Sequence, residues 1–325
     1  MTLENKLSAR QQNLLAILNL LDTNQELSAK ELAQKTGLSI VSINKLIDIL
    51  IASTHIIDSD YINTRGRRAK LYKLNYDAQK LGILQLVEID NQIQAIYYLT
   101  NLAGKVLSKK VHQTKITSIE ILTSFLHQQT QKNPPAKIVI GTPGAELDGY
   151  LQLSDLEVLQ GINVPLAIKT ATDIDTIVVN DANAGTYGAA IELQQNKNIA
   201  VGIYFPSSFG PGVGIVVNNR LLKGADGLAG EIEYSTVDSQ AVVTDQIIAH
   251  LQNIISLLNP NLVIVYVEKL NLSPIQIDQI KQTIHRRLPL HEKYQLIFDR
   301  NFEKDYLTGL TTIGRHEILK NLVNH

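Results

Sequence analysis

The sequence predicts a chain of the α/β class, in which a three-helix N-terminal module precedes a larger body of alternating strands and helices. Hydrophobic residues make up 44% of the chain and charged residues 19%, which is ordinary globular composition. Apolar residues recur at helical spacing in the N-terminal part, and short apolar runs alternate with helical stretches after it. A length of 325 residues accommodates two or three domains.

The N-terminal part contains the signals of three helices. Ser8 with Gln11 and Ser28 with Glu31 form two capping-box patterns, each followed by apolar residues at helical spacing. Gly37 separates the second helix from the third, so these two helices predict a helix-turn-helix. Asparagine and serine can bond base edges, and valine can touch a thymine methyl group. The residues of the third helix that we expect to contact DNA are Ser39, Val41, Ser42, Asn44 and Lys45.

A β-hairpin is predicted from His55 to Leu74, and its tip is strongly basic. Its cations surround Gly66, which allows a tight turn, and they suit phosphates or a minor groove. These cations are Arg65, Arg67, Arg68 and Lys70. The hairpin completes a winged helix. Two alternatives remain open, namely a solvated loop at the tip and a three-helix module that contacts protein instead of DNA.

Charge and composition exclude several classes of protein. Residues 1–75 carry ten Lys and Arg against seven Asp and Glu, whereas the whole chain has 30 and 31, so a basic module precedes an acidic body. The absence of cysteine excludes disulfides, thiolate zinc sites and cysteine nucleophiles. The eight histidines lack metal-site spacing, and we expect neither a metal nor a cofactor. The polar start and the short apolar runs predict a cytoplasmic protein without a membrane span.

Three segments of the body suit ligand binding. A strand that ends in Gly-x-Pro-Gly predicts a fixed turn at Gly144 with exposed backbone N–H groups. Asn180 and Asp181 stand where a strand meets a helix, which is where open α/β sheets place ligands. The third segment is the glycine-rich stretch 208–232, which contains Glu231. Taken singly, each pattern is more often a plain hairpin or a helix cap.

In this order, behind a winged helix, the three segments resemble the ROK family of sugar kinases and sugar-responsive repressors. The resemblance covers nearly the whole chain and implies a two-lobed, actin-like ATPase body with a sugar between the lobes. It implies that Asp181 matches the family's catalytic base and that Asn180 and Glu231 match sugar-contacting positions. The turn at Gly144 would border the same pocket. The implied domains are a winged helix over 1–75 and a body over 76–325, with lobe 1 near 80–182 plus 306–325 and lobe 2 near 183–305.

The departures from the family pattern concern the nucleotide and zinc sites. The first phosphate loop corresponds to Glu88–Gln94, which has no glycine, so Cβ atoms would crowd a phosphate. In the second loop Phe209 replaces a threonine, and Pro211 lacks an N–H. A late Gly-Gly pair is replaced within Tyr266–Lys269. Tyr234 replaces the zinc-binding histidine beside the sugar site, and we expect it to contact the ligand instead.

These observations favour a transcriptional regulator of carbohydrate metabolism, a repressor without a catalytic residue, whose body senses a sugar or a sugar phosphate. Its expected partners are double-stranded operator DNA and further copies of the chain, in a homodimer or a higher homo-oligomer. Two other functions stay open. One is a dimeric DNA-binding protein without a ligand, which the missing sugar contacts favour. The other is a sugar kinase with an added DNA-binding module, which would require a working phosphate loop.

Overall fold

The computed structural model describes residues 7–64, 67–89, 92–195, 198–298 and 300–323, and at 60–64, 67 and 68 it describes the backbone alone. Within these residues the fold contains a three-stranded sheet near the N-terminus, two five-stranded sheets in the body and a small two-stranded hairpin. The α/β class expected from the sequence is confirmed. No described helix combines the length and the apolar composition that crossing a bilayer requires.

The N-terminal module forms as its local signals predict. Its elements are α1 (Ala9–Asn24), β1 (Leu27–Ser28), α2 (Ala29–Thr36), α3 (Ile40–Ala52), β2 (Ile56–Thr64) and β3 (Arg67–Leu74). Ser8 and Ser28 make both halves of their capping boxes, and Ser39 accepts the backbone N–H of Ser42 at the start of α3. Strand β3 pairs antiparallel with both β1 and β2, which gives the hairpin of a winged helix.

The first sheet of the body has the order β10-β7-β4-β5-β6. Its strands are β4 (Lys80–Ile89), β5 (Gln92–Asn101), β6 (Val106–Val111), β7 (Lys137–Thr142) and β10 (Thr176–Asn180). Strands β4, β7 and β10 run parallel, so their carboxyl ends meet at one edge of the sheet. The helices α4 (Ile119–Thr130) and α5 (Val164–Thr172) and the hairpin β8 (Ala145–Leu147) and β9 (Tyr150–Leu153) lie between these strands in the sequence.

The second sheet of the body has the order β13-β12-β11-β14-β15. Its strands are β11 (Ile199–Tyr204), β12 (Gly212–Val217), β13 (Arg220–Leu221), β14 (Leu262–Tyr266) and β15 (Gln295–Ile297). The remaining helices of the body are α6 (Asp181–Glu192), α7 (Val243–Leu258), α8 (Pro274–Arg287) and α9 (Phe302–Leu322).

Helices α6 and α9 join the two sheets through direct backbone contact. Helix α6 packs on β11 and β12, and α9 packs on β4 and β7. A Cβ atom at Gly188 would lie 2.0 Å from the carbonyl oxygen of Asp305, and one at Gly309 would lie 1.8 Å from that of Ala184. Because backbones in contact have no side chains to yield between them, we expect the two helices to move as one unit.

The far end of α9 enters the core of the N-terminal module. Leu319 and Val323 are buried in the same apolar cluster as Ile17, Leu32 and Ile47. The module is therefore packed on the last turns of α9 as well as being linked through the chain after β3.

The contact between α6 and α9 predicts the result of Gly188→Ala. An alanine in a helix is ordinarily stabilising by about 1 kcal/mol relative to glycine. Here its Cβ would collide with a carbonyl oxygen, so we expect the free energy of unfolding to fall by about 1–3 kcal/mol in urea denaturation. Gly212→Ala is the control, since its Cβ would lie at an ordinary 3.4 Å from Ala182. A stabilised Gly188→Ala protein would contradict the observed contact.

Candidate functional site

A cavity of about 60 Å³ lies between the two sheets of the body. This volume holds only a few water molecules. Its walls come from the ends of β4 and β10, the turn after β7, and the loops after β9 and β11. Parallel strands of an open sheet present their carboxyl ends to ligands in this way. The cavity is therefore the candidate ligand site of the body.

Three of the residues expected from the sequence form one wall of this cavity. The Asn180 side chain caps α6 by accepting the backbone N–H of Asn183 at 2.9 Å, and its Nδ2 donates to the carbonyl oxygen of Gly144 at 3.0 Å. Asp181 accepts the backbone N–H of Ala182 at 2.7 Å. Asn180 thus ties the Gly144 turn to the first turn of α6. Glu231 lines the cavity as well.

The cavity wall is strongly acidic. Its lining contains six carboxyl groups, on Glu88, Asp155, Asp181, Glu231, Glu233 and Glu303. Among the described residues that line it there is no Lys, Arg or His. A charged ligand entering this space therefore meets carboxyl groups, apolar side chains and aromatic rings, and no described side chain of positive charge.

Burial and mutual repulsion shift the acidity of these carboxyl groups. Burial, followed by the charges of Asp155 and Glu231, raises the pKa of Asp181 to about 7. Burial and the charges of Glu233 and Asp155 raise the pKa of Glu231 to about 7. The pKa of Asp155 rises to about 6, again chiefly through burial. Part of the cluster is thus protonated near neutral pH.

Glu88 is a buried carboxyl group of this wall. It accepts a hydrogen bond that connects the first sheet to the loop after β11 of the second sheet. Its side chain is 8% exposed, and Oε2 accepts the backbone N–H of Ser207 at 2.7 Å. Its Oε1 is buried and has no hydrogen-bond partner within the described residues. Lys269 donates to the backbone oxygen of Glu88 at 3.2 Å. Within the described residues, the Glu88 carboxylate therefore forms no ion pair.

The candidate DNA-contacting residues of α3 are exposed together on the outer face of the module. Ser39, Ser42, Asn44 and Lys45 are all exposed, and Val41 is 66% exposed. The hydroxyl oxygens of Ser39 and Ser42 lie 2.9 Å apart. Because the buried face of α3 packs into the module, this outer face is free to enter a groove.

The basic hairpin tip is described only in part. Arg65 lies outside the described residues, as does Gly66, and the side chains of Arg67 and Arg68 are not described either. Lys70 forms an ion pair with Asp58 on the neighbouring strand. The expected contacts of the tip with DNA therefore stay predictions.

The geometry of the body agrees with comparisons to known proteins. Residues 92–244 match the sequence model of the ROK family. The xylose repressor of Caldicellulosiruptor bescii is 26% identical over 247 residues, which is 71% of this chain and 60% of the repressor. That of Bacillus subtilis is 26% identical over 230 residues, or 66% of this chain and 58% of the repressor. Residues 92–244 of the chain thus share the sequence pattern of the ROK family.

A solved ROK structure has the same fold over almost the whole length. The crystal structure of a ROK family transcriptional regulator, a homologue of the E. coli MLC protein, superimposes with a TM-score of 0.75. The match has 17% sequence identity and covers 97% of this chain and 98% of that one. The winged helix and the two-lobed ROK body are thus confirmed as a fold. The chain spans about 60% of the length of the curated repressor it matches in C. bescii.

The residues that the sequence analysis assigned to the two phosphate loops are described only in part. Phe209 is half-buried, packs on the apolar cluster of the first sheet and lines the cavity. Asp90 and Asn91 of the first loop lie outside the described residues. Tyr234 is 71% exposed and does not line the cavity, so the structure does not bring it to the ligand site.

Sequence reasoning missed three of the acidic residues, Asp155, Glu233 and Glu303, and underestimated a fourth. Asp155 matches no motif, Glu233 stands between two residues of a motif without being one of its matched positions, and only the fold brings them to the same cavity as Asp181. Glu88 was noted only as the start of a glycine-free loop. The part of the chain that the structure describes contains no group of three His, Cys, Asp or Glu residues placed to hold a metal ion.

The raised pKa of Asp181 predicts a pH-dependent stability. The folded protein binds more protons than the unfolded chain between about pH 4 and pH 7, so this group's contribution is lost as the pH rises through that range. We expect Asp181→Asn to reduce the loss of stability with rising pH. The free energy of unfolding of the variant, relative to that of wild type, should be roughly 2–4 kcal/mol higher at about pH 8 than at about pH 5.

Urea denaturation at the two pH values measures this difference. Asp226→Asn is the control, because Asp226 is exposed and lies outside the cavity. Parallel pH profiles for wild type and Asp181→Asn would show that Asp181 ionises in the folded protein as it does in water.

Proposed function

We propose that this ROK protein is a sugar-responsive DNA-binding repressor and that its body does not transfer phosphate. The supporting observation is that a helix pair connects the interlobe cavity to the module that carries the exposed face of α3. The proposal assigns DNA binding to residues 1–75 and sensing to residues 76–325, with lobe 1 near 80–182 plus 306–325 and lobe 2 near 183–305. Operator DNA and a second copy of the chain are its proposed partners.

The chemistry of the cavity supports sensing over phosphoryl transfer. Phosphoryl transfer depends on cationic groups that stabilise the charge of the transferring phosphoryl group. The lining contains six carboxyl groups and no basic side chain among its described residues, and Phe209 stands where the family has a threonine. Asp181 and Asn180 would then bond sugar hydroxyls without catalysis. The similarity of the chain to two xylose repressors also favours this function over a kinase.

A chain of polar contacts supports communication between the cavity and the module. Helix α6 starts at Asp181 in the cavity, and further along it the Tyr187 hydroxyl donates to Asn219 at 3.0 Å and lies 3.5 Å from Nδ1 of His316. On the other side of its ring, Nε2 of His316 lies 3.2 Å from the Asp22 carboxylate. Asp22 belongs to α1, so α9 links α6 to the N-terminal module.

Asp22 is the anchor of the module on the body. Its side chain is 7% exposed and forms an ion pair with Nε of Arg315 at 2.8 Å. Burial acts against ionisation, but the hydrogen bond from His316 and the charge of Arg315 lower the pKa of Asp22 below its usual value. Arg315 in turn donates to the carbonyl oxygen of Leu102 at 2.9 Å.

The proposed mechanism is a shift between two populated states. A ligand that separates or closes the lobes moves α6, and α9 moves with it. In a dimer, both recognition helices must enter major grooves about 34–36 Å apart. A small rotation of the modules therefore lowers the affinity for the operator.

One observation favours a second function. The cavity volume of about 60 Å³ is smaller than a monosaccharide needs without movement of the lobes, which supports a DNA-binding protein that takes no ligand. Titration calorimetry with a panel of sugars separates the two functions. Heat of binding that Asp181→Ala abolishes supports a sensor, and no binding by any sugar supports the second function.

The kinase assignment is tested directly by a coupled assay. The proposal predicts no ATP-dependent phosphorylation of any sugar that the protein binds. Phosphorylation that disappears in Asp181→Ala would overturn the proposal and show that the chain is a sugar kinase.

The exposed face of α3 predicts the effect of Asn44→Ala on DNA binding. Loss of a side chain that bonds a base edge costs about 1–3 kcal/mol of specific binding. Fluorescence anisotropy on a duplex selected from a random library by the full-length protein measures it. Gln34→Ala, an exposed change on α2, is the control. Equal affinities of wild type and Asn44→Ala would remove α3 from the DNA interface.

The Asp22 contacts predict that Asp22→Asn uncouples sensing from DNA binding. We expect sugar to bind as before, whereas the sugar-induced loss of operator affinity shrinks by about fivefold or more, because coupling energies of 1–3 kcal/mol are typical. The measurement is the operator affinity with and without sugar. Glu26→Gln, an exposed change in the same module, is the control. An unchanged sugar response in Asp22→Asn would rule out this route.

A further inference from the structure

We propose that the ligand of the interlobe cavity is a small polyhydroxyl compound that bears a protonated amine, and that phosphorylated sugars are excluded. This inference rests on the proposed function, because it takes the cavity as the sensing site. It specifies the charge of the effector, which the fold alone leaves open.

The charge of the lining is the first observation. Six carboxyl groups line the cavity, without a basic side chain among the described lining residues. Lys223 lies outside this space and is paired with Glu146 at 3.1 Å. Buried carboxylates without a positive partner are costly, and an ammonium group supplies the missing charge. A phosphate would add charge of the same sign and be repelled.

The unpaired oxygen of Glu88 is a second and independent observation. Its Oε1 is buried in a side chain that is 8% exposed, and it has no hydrogen-bond partner within the described residues. Buried acceptors are rarely left in this state, because each carries a desolvation cost. The other oxygen, Oε2, already accepts the backbone N–H of Ser207 at 2.7 Å. Oε1 is therefore available to accept an N–H from a ligand.

Aromatic rings complete the environment that an ammonium group favours. Tyr204 and Phe209 line the cavity beside the carboxyl groups, and Tyr204 is stacked on Phe302 with ring centroids 3.7 Å apart. A cation is attracted to the face of an aromatic ring. A divalent metal fits less well, since the described residues include no cluster of three ligands suited to a metal ion.

The raised pKa values of two of these carboxyl groups agree with this choice of ligand. Burial and the charges of the neighbouring carboxylates raise the pKa of Glu231 and of Asp181 to about 7. A cation among these groups would offset the repulsion between the neighbouring carboxylates, whereas a neutral sugar would leave that repulsion in place.

The test is titration calorimetry on the full-length protein at neutral pH with matched sets of probes. Each set contains a hexose, its 2-amino derivative, the N-acetylated derivative and the 6-phosphate, for the gluco, manno and galacto configurations. The proposal predicts that one amino sugar binds about tenfold or more tightly than its parent hexose, because bonds from charged donors are stronger than neutral ones. The phosphate should show no binding.

Two variants test the role of the wall. Glu88→Gln and Asp155→Asn should each reduce the preference for the amino sugar over its parent by about tenfold. Using both guards against a folding defect in either one. Glu157→Gln is the matched control, because Glu157 is exposed and lies outside the lining. Equal or tighter binding of a neutral sugar, tight binding of a phosphate, or no binding by any probe would overturn the proposal.

The same probes, added to the protein on its selected duplex, separate this inference from the proposed function. If a neutral or phosphorylated sugar releases the protein from DNA, the proposed sensing function stands, and the proposal that the ligand carries a positive charge is wrong. An amino sugar that binds without changing DNA affinity would uphold the charge preference and overturn the sensing mechanism.

Discussion

The contact between the backbones of α6 and α9 is the constraint on which the rest of the structure depends. Gly188 and Gly309 bring the two helices so close that a single Cβ at either position would overlap a carbonyl oxygen. Each helix packs on a different sheet, so this contact is where the two lobes are joined. The cavity lies at the start of α6, and the N-terminal module is packed on the end of α9. Any account of function must therefore treat these distant sites as joined by one rigid element.

The acidic wall is the observation behind the proposed difference from a kinase. A phosphoryl-transfer site gathers cations and glycine N–H groups around a triphosphate. The lining of this cavity instead contains Phe209 and six carboxyl groups, and burial raises the pKa of Asp181 and of Glu231 to about 7. The retained Asn180 and Asp181 hold a turn and a helix start in place, a structural role that needs no catalysis. The proposed loss of kinase activity and the proposed ligand charge follow from the same wall.

Local signals made much of the fold predictable. The capping serines of α1 and α2, the glycine between α2 and α3 and the Asn-Asp pair at the start of α6 act through neighbours in the sequence, and each appears as expected. The acidic wall was not predictable, because Glu88, Asp155 and Glu233 meet only after two sheets have closed on each other. The pairing of Asp22 with His316 spans almost the whole chain, and no local pattern marks it. Tyr234 was misjudged because a position in a motif does not fix where its side chain points.

Reciprocity of binding provides the most direct measurement of the central claim, which is that the cavity and the DNA-binding face are coupled through α6 and α9. If a ligand lowers the affinity for the operator, bound operator must lower the affinity for that ligand by the same factor. Calorimetric titration of the ligand into the free protein and into the protein saturated with its selected duplex measures both affinities. The account predicts weaker ligand binding on DNA, by the factor found for operator release. Equal ligand affinities in the two titrations would contradict it.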